Sequence, residues 1–234
     1  MKSEPTLLLI ESSTRSCSVA LSVGSEIRAE LSERSDQFVH AEKLHLLIKE
    51  ILSPPSIEKG EMIRPNAIAV SAGPGSYTGL RIGLSVAKGV AFGLSIPLIG
   101  IPSLEALYHT LKSAHSELFK GPTRAFWPMI DARRMEVYTM GLNTSSELLS
   151  PIEAMILDEK LPSHKGICFG DGADKAIALL ESNNFTIIEG ILPMAHGLLT
   201  PALHRFYINS FEDAAVFEPD YLKEFQAGKK KQTD

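Results

Sequence analysis

Between Ser71 and Gly79 the chain reads Ser-Ala-Gly-Pro-Gly-Ser-Tyr-Thr-Gly, with apolar runs directly before and after it. Glycines at Gly73, Gly75 and Gly79 permit positive φ and close backbone approach, and the free N–H groups of a following helix attract anions. In open α/β sheets, ligands bind at such a position beyond a strand's carboxyl end. Thr78 is placed to cap the helix, and Arg81 follows in its first turn. The run fits neither GxxxxGK[ST] nor the spacing GxGxxG. It reads either as a weak anion cradle or as a tight turn.

A second candidate lies near the N-terminus. Glu11 closes an apolar run and is followed by Ser12, Ser13 and Thr14. A strand-end carboxylate beside hydroxyls suits Mg²⁺ and phosphate, and a capped turn explains it equally well. Asp131 ends a comparable run later in the chain, ahead of Arg133 and Arg134. Glu11, Ser13 and Asp131 would then be nucleotide-binding groups in a cleft between two halves. The seven histidines are scattered without HExxH or HxxxH spacing, and Cys17 and Cys168 lie far apart without a CxxC. These patterns support no metal site and no disulfide framework, so two buried free thiols are expected. There is no GxSxG elbow, and no catalytic set assembles.

The elements that must carry these groups follow from periodicity. Buried-strand patterns cover 7–10 and 17–23, Gly24 and Ser25 turn the chain, and a third strand runs to about residue 32. Residues 40–52 form an amphipathic helix with Leu44, Leu47, Ile48 and Ile51 as its stripe, stopped by Pro54 and Pro55. A strand at 67–71 leads through the glycine loop into a helix over 78–94. A strand at 97–101 and a helix capped by Ser103 come next. Strands at 125–130 and 135–140, an unassigned stretch, a strand at 167–169, a helix over 172–181 and a strand at 186–188 make a shortened echo of the first half. One more helix follows Pro201. The order predicts an α/β fold of actin-like, ribonuclease-H-like type with two lobes, residues 1–110 and 111–234.

The helix over 78–94 is apolar on most sides. Leu80, Leu84, Ala87, Ala91 and Leu94 line one face, and Ile82, Val86 and Val90 another. Gly83, Gly89 and Gly93 each lower helix propensity by about 1 kcal/mol, which suggests close approach by another backbone. With the Leu44 stripe, this surface is expected to form a helix-to-helix partner interface.

Composition narrows the class. The 234 residues are 44% hydrophobic and 22% charged, with formal net charge −5. That is ordinary globular usage without the positive field of a stand-alone nucleic-acid binder. The basic run Lys229–Lys231 reads as a solvated tail. The apolar run at 6–10 is too short for a membrane span or signal segment, so a cytoplasmic protein is expected.

The run from Ser71 to Leu107, with its GPGSYTGLRIG core, resembles the TsaB family (also called YeaZ), subunits needed to make threonylcarbamoyladenosine in tRNA. LLLIESSTRSCSVALS at 7–22, HAEKLHLLIKEIL at 40–52, MIDARRMEVYTM at 129–140 and FEPDYLKEFQAG at 217–228 extend the likeness over most of the chain. The resemblance implies an actin-like (ASKHA) fold, a heterodimer with the catalytic TsaD subunit, contact with the TsaE ATPase, tRNA met through the complex, and homodimers when TsaD is absent. TsaD carries a His-x-x-x-His metal pair where this chain has Ser103 and Leu107, which implies a non-catalytic scaffold. The sequence assigns the chain no cofactor of its own and leaves ATP and Mg²⁺ to the complex. The alternatives are an ATP-using small-molecule kinase of the same fold and, less favoured, a metallopeptidase.

Overall fold

The computed structural model describes residues 4–34, 40–53 and 63–223. Pro54, Pro55 and the Lys229–Lys231 run lie outside the described residues.

The first sheet is built from β1 (Thr6–Glu11), β2 (Ser16–Val23), β3 (Glu26–Arg34), β4 (Ala67–Gly73) and β5 (Leu98–Pro102), in the order β3-β2-β1-β4-β5. β1 runs antiparallel to β2 and parallel to β4, and β4 runs parallel to β5. The second sheet holds β6 (Ala125–Asp131), β7 (Glu136–Asn143), β8 (Leu148–Ile156), β9 (Gly166–Phe169) and β10 (Thr186–Ile188), in the order β10-β9-β6-β7-β8. A three-strand meander followed by two parallel strands occurs in both. The halves thus share one sheet topology, the echo expected from element order. What is shortened in the second half is its helical part: α4 (Asp171–Asp174) and α5 (Ile177–Ser182) replace the single helix expected over 172–181. β8 carries no periodic pattern in the sequence, because its burial is irregular.

Alternation along β1 sorts the first core. Leu8 and Ile10 face α1 (His40–Leu52) and α2 (Tyr77–Leu94), while Leu7 and Leu9 face the opposite layer. That second layer is made by α3 (Ser103–Ala114) and by α6 (Leu199–Tyr207), which returns from the far end of the chain. α3 joins the sheets through its own two faces. Ala106 belongs to the first core, and Leu104, Leu107, Tyr108 and Leu111 pack on Phe126 and Ile130 of β6.

Two expected caps move. Ser76, not Thr78, caps α2, its hydroxyl accepting from the Gly79 amide at 3.2 Å, while Thr78 is exposed. Ser103 is the first residue of α3 and makes no cap bond, because Pro102 precedes the helix and Ser103 is turned into the interior.

Candidate functional site

The glycine loop leaves β4 at Gly73, where φ is +113° and a Cβ would stand 2.6 Å from the Asp220 carbonyl oxygen. Gly75, Gly79 and Gly83 then form one stripe of the loop and α2. A Cβ at any of the three would come within 3.0 Å of Ser12 or Ser13. Ser76 N donates to the Ser13 carbonyl at 2.7 Å, Ser12 Oγ donates to the Gly79 carbonyl at 3.0 Å, and Ser12 N donates to Ser71 Oγ at 3.2 Å. The glycines thus let the helix lie directly on the β1–β2 turn. The motif's spacing is a packing code, because only a residue without a side chain permits this approach.

That contact seals the proposed nucleotide groups. Glu11, Ser12 and Ser13 are fully buried and Thr14 nearly so. Glu11 Oε1 accepts from Ser13 N at 2.6 Å, while Glu11 Oε2 has no partner. Burial pushes the carboxyl up to about 7, against the lowering effect of the neighbouring Ser13, Ser71 and Ser12 groups. Asp131 is exposed and belongs to another network. Its carboxylate pairs with Lys175 and accepts from Arg133 N at 2.7 Å, and its amide donates to Asp171 at 2.9 Å. The hydrogen-bond partners of Glu11 and Asp131 do not overlap. Among the described residues no group of three or more His, Cys, Asp or Glu could hold a metal ion. Ser103 and Leu107 are both fully buried, Leu107 in the apolar cluster between α3 and the second sheet. Neither residue type there is a good ligand for a transition metal.

The expected partner stripe divides. Leu44, Leu47, Ile48 and Ile51 are buried against the chain's own first sheet, so this half of the surface is core and is not offered outward. The reason is geometric: a single amphipathic stripe on a helix covering a sheet must face that sheet. α2 is apolar on more than one side and has surface left over. Ile82, Val86 and Val90 are only half-buried along the edge of the core, and Phe92 is 87% exposed. A Cβ at Gly89 or Gly93 would meet nothing within 4 Å. Leu46 of α1 adds an apolar side chain that is 49% exposed.

The C-terminal segment is part of this site. Glu212 N donates to the Leu98 carbonyl at 2.9 Å, and Asp220 N donates to the Ala72 carbonyl at 2.7 Å. Phe217 lies on Gly100, where a Cβ would be 2.5 Å from its ring. Arg81 is exposed but ordered: its guanidinium carbon stands 4.1 Å from the Tyr77 ring centroid, and Nε donates to the Tyr221 hydroxyl at 3.0 Å. The Tyr77 and Tyr221 rings are 4.9 Å apart. A cleft of about 220 Å³ separates this strap from α2, lined by Arg81, Ser85, Lys88, Phe217, Glu218 and Tyr221. Periodicity could not find the strap, since it has no repeating pattern. Its only signal in the sequence was the likeness of 217–228 to a known terminal segment.

Two mixed five-stranded sheets of one topology, joined through α3, define an actin-like α/β protein. The chain matches the family model "TsaD: tRNA N6-adenosine threonylcarbamoyltransferase" over residues 35–160, more than half its length. It is 28% identical to the tRNA threonylcarbamoyladenosine biosynthesis protein TsaB of Escherichia coli (strain K12), covering 96% of this chain and 97% of that protein. It is 30% identical to the TsaB of Buchnera aphidicola subsp. Acyrthosiphon pisum (strain APS), covering 68% of this chain and 70% of that one. YeaZ from Pseudomonas aeruginosa shares the fold, with a TM-score of 0.77 at 24% identity over 93% of this chain and 100% of that one. The chain belongs to the TsaB (YeaZ) family. No helix among the described residues is long and apolar enough to cross a membrane.

Proposed function

We propose that this chain acts in the formation of N6-threonylcarbamoyladenosine in tRNA, as a non-catalytic scaffold that docks on a TsaD-like catalytic subunit through the outward face of α2. The observation that carries this reading is the division of labour along α2. Its Gly79 and Gly83, with Gly75 of the loop, pack on the Ser12–Ser13 turn, while Ile82, Val86, Val90 and Phe92, beside open Gly89 and Gly93, remain for another chain. The names of the TsaB relatives support the process, and Ser103 and Leu107 support the absence of metal chemistry. The lobes are taken as residues 1–110 and 111–234, with α3 (Ser103–Ala114) running across that boundary as their shared helix and the segment from Ala195 packed back on the first sheet. A TsaE-like ATPase joins the assembly, tRNA is met through the complex, and a second copy of this chain takes the α2 face when the catalytic subunit is missing. The protein works in the cytoplasm. The kinase reading has no support from the sealed Glu11.

Co-purification with candidate TsaD-like and TsaE-like subunits, followed by a tRNA-modification assay with and without this chain, tests the proposal. A stable complex and modification that requires this chain are expected. Modification that proceeds equally well without it would overturn the role.

A further inference from the structure

We propose that the β6–β7 hairpin tip, through Arg133 and Arg134, contacts the phosphate backbone of a structured RNA. The inference rests on the tRNA role proposed above and names the surface of this chain that would touch the nucleic acid.

The reversal brings two adjacent arginines into the left-handed region, with φ of 73° at Arg133 and 52° at Arg134. Its backbone is well tied. Ala132 N donates to the Glu136 carbonyl at 3.0 Å, Glu136 N to the Arg133 carbonyl at 3.2 Å, and Arg133 N to Asp131 Oδ1 at 2.7 Å. Such positions favour glycine or asparagine, which reach this backbone region with less strain. Turn chemistry therefore gives no reason for arginine at either position.

The charges around the tip supply one. The hairpin carries two carboxylates of its own, and both are taken by lysines from other elements. Asp131 pairs with Lys175, which also donates to the Glu136 carbonyl, and the Glu136 carboxylate pairs with Lys223 of the strap. Asp171 is turned onto the Asp131 amide. Arg133 and Arg134 are both exposed, and neither guanidinium has an ion pair among the described residues. Lys175 and Lys223 are thus spent on carboxylates at this end of the second sheet, while the two guanidiniums stay unpaired at the tip. Guanidinium forks match phosphate oxygens in shape and charge. A protein partner would bury apolar surface as well; Ala132 and Met135 at the tip are half-buried, and exposed Ile156 stands across from Glu136 on β8.

The test is filter binding of a tRNA transcript between 50 and 200 mM salt, using the full chain alone and in complex with its TsaD-like subunit. The double variant Arg133→Asn with Arg134→Gly removes both charges and suits the turn. Arg133→Lys with Arg134→Lys keeps the charges. For two lost phosphate contacts, transcript affinity at 100 mM salt is expected to fall roughly tenfold, and the slope of log affinity against log salt to decrease by about 1 to 2. The melting midpoint should hold or rise, and the lysine variant should keep the slope. Equal affinity and slope in wild type and the neutral variant would overturn the inference. So would a weakened protein complex with unchanged transcript binding, which would assign the tip to an acidic protein surface. If the modification assay requires the chain yet the neutral variant binds RNA normally, this inference fails and the tRNA role stands. If wild-type chain is dispensable for modification while the salt slope still drops, the role fails and the RNA contact stands.

Discussion

The Ser12 hydroxyl donates to the Gly79 carbonyl at 3.0 Å, and the Ser12 carbonyl oxygen lies where a Cβ on Gly79 would have to sit. Helix α2 and the turn after β1 are therefore one packed unit, and two kinds of glycine occur along a single helix. Gly79→Ala must displace backbone and is expected to destabilise the chain by about 3 kcal/mol or more, in the range of overpacked cores. Gly89→Ala and Gly93→Ala meet open space and should stabilise the monomer by about 0.5–1 kcal/mol each through helix propensity. Denaturant unfolding of the three variants separates the cases, and a tolerated Gly79→Ala would refute the packing account.

The same division reassigns what interface variants report. Leu44 is fully buried, so Leu44→Glu is expected to unfold the protein and says nothing about partners. Val86→Glu, at a half-buried position, should leave the fold intact by circular dichroism and abolish co-purification with the TsaD-like subunit. Retention of the complex by folded Val86→Glu would remove α2 from the interface.

Glu11 and His109 set opposite limbs of the stability–pH curve. The Glu11 carboxyl is raised from 4.5 to about 7 by burial, so the folded state keeps a proton that the unfolded chain releases. Stability therefore falls as pH rises from about 4.5 to about 7, by on the order of 3 kcal/mol in total, and is level above that. His109 is lowered from 6.5 to about 4, first by burial and then by Lys112 and Arg205. The unfolded chain binds that proton first, so this contribution to stability is lost as pH falls from 6.5 to 4. Between 4.5 and 6.5 the two oppose each other. Glu11→Gln should flatten the curve from pH 6.5 to 7 and raise the melting midpoint at pH 8. An unchanged profile would mean that Glu11 ionises freely in the fold.

Cys17 and Cys168 are buried, and burial pushes both thiols up to about 12. Neither should react with a thiol reagent at pH 8 in the native protein, and both should react in denaturant. Rapid labelling of the native chain would contradict their placement.

Tyr221 fastens the strap to Arg81 and Tyr77. Tyr221→Ala is expected to speed proteolytic nicking within residues 213–223 while leaving the sheets intact, with Tyr221→Phe intermediate because it keeps the ring and loses the hydroxyl. Equal protection of all three proteins would show that Asp220 and Phe217 hold the strap without it.

Local pattern alone determined much of this protein. A short apolar run placed β1, period-two alternation placed β2, and the strand read at 125–130 matches β6, each to within a residue or two, because each strand is buried in a sheet. The 3.6-residue stripe of α1 gave that helix with its observed bounds. Glycine spacing marked the loop after β4 as the place where something comes close. What the pattern could not decide was what comes close, since a glycine records only that space is needed. It is the chain's own Ser12–Ser13 turn at Gly75, Gly79 and Gly83, and open solvent at Gly89 and Gly93. Nor could it say which apolar stripe is core, because Leu44 and Val86 look alike until a sheet covers one of them. Tertiary structure also tied Arg81 to Tyr221, and Asp131 and Glu136 to Lys175 and Lys223, across long stretches of sequence. Such contacts depend on three-dimensional proximity, and no local periodicity encodes them.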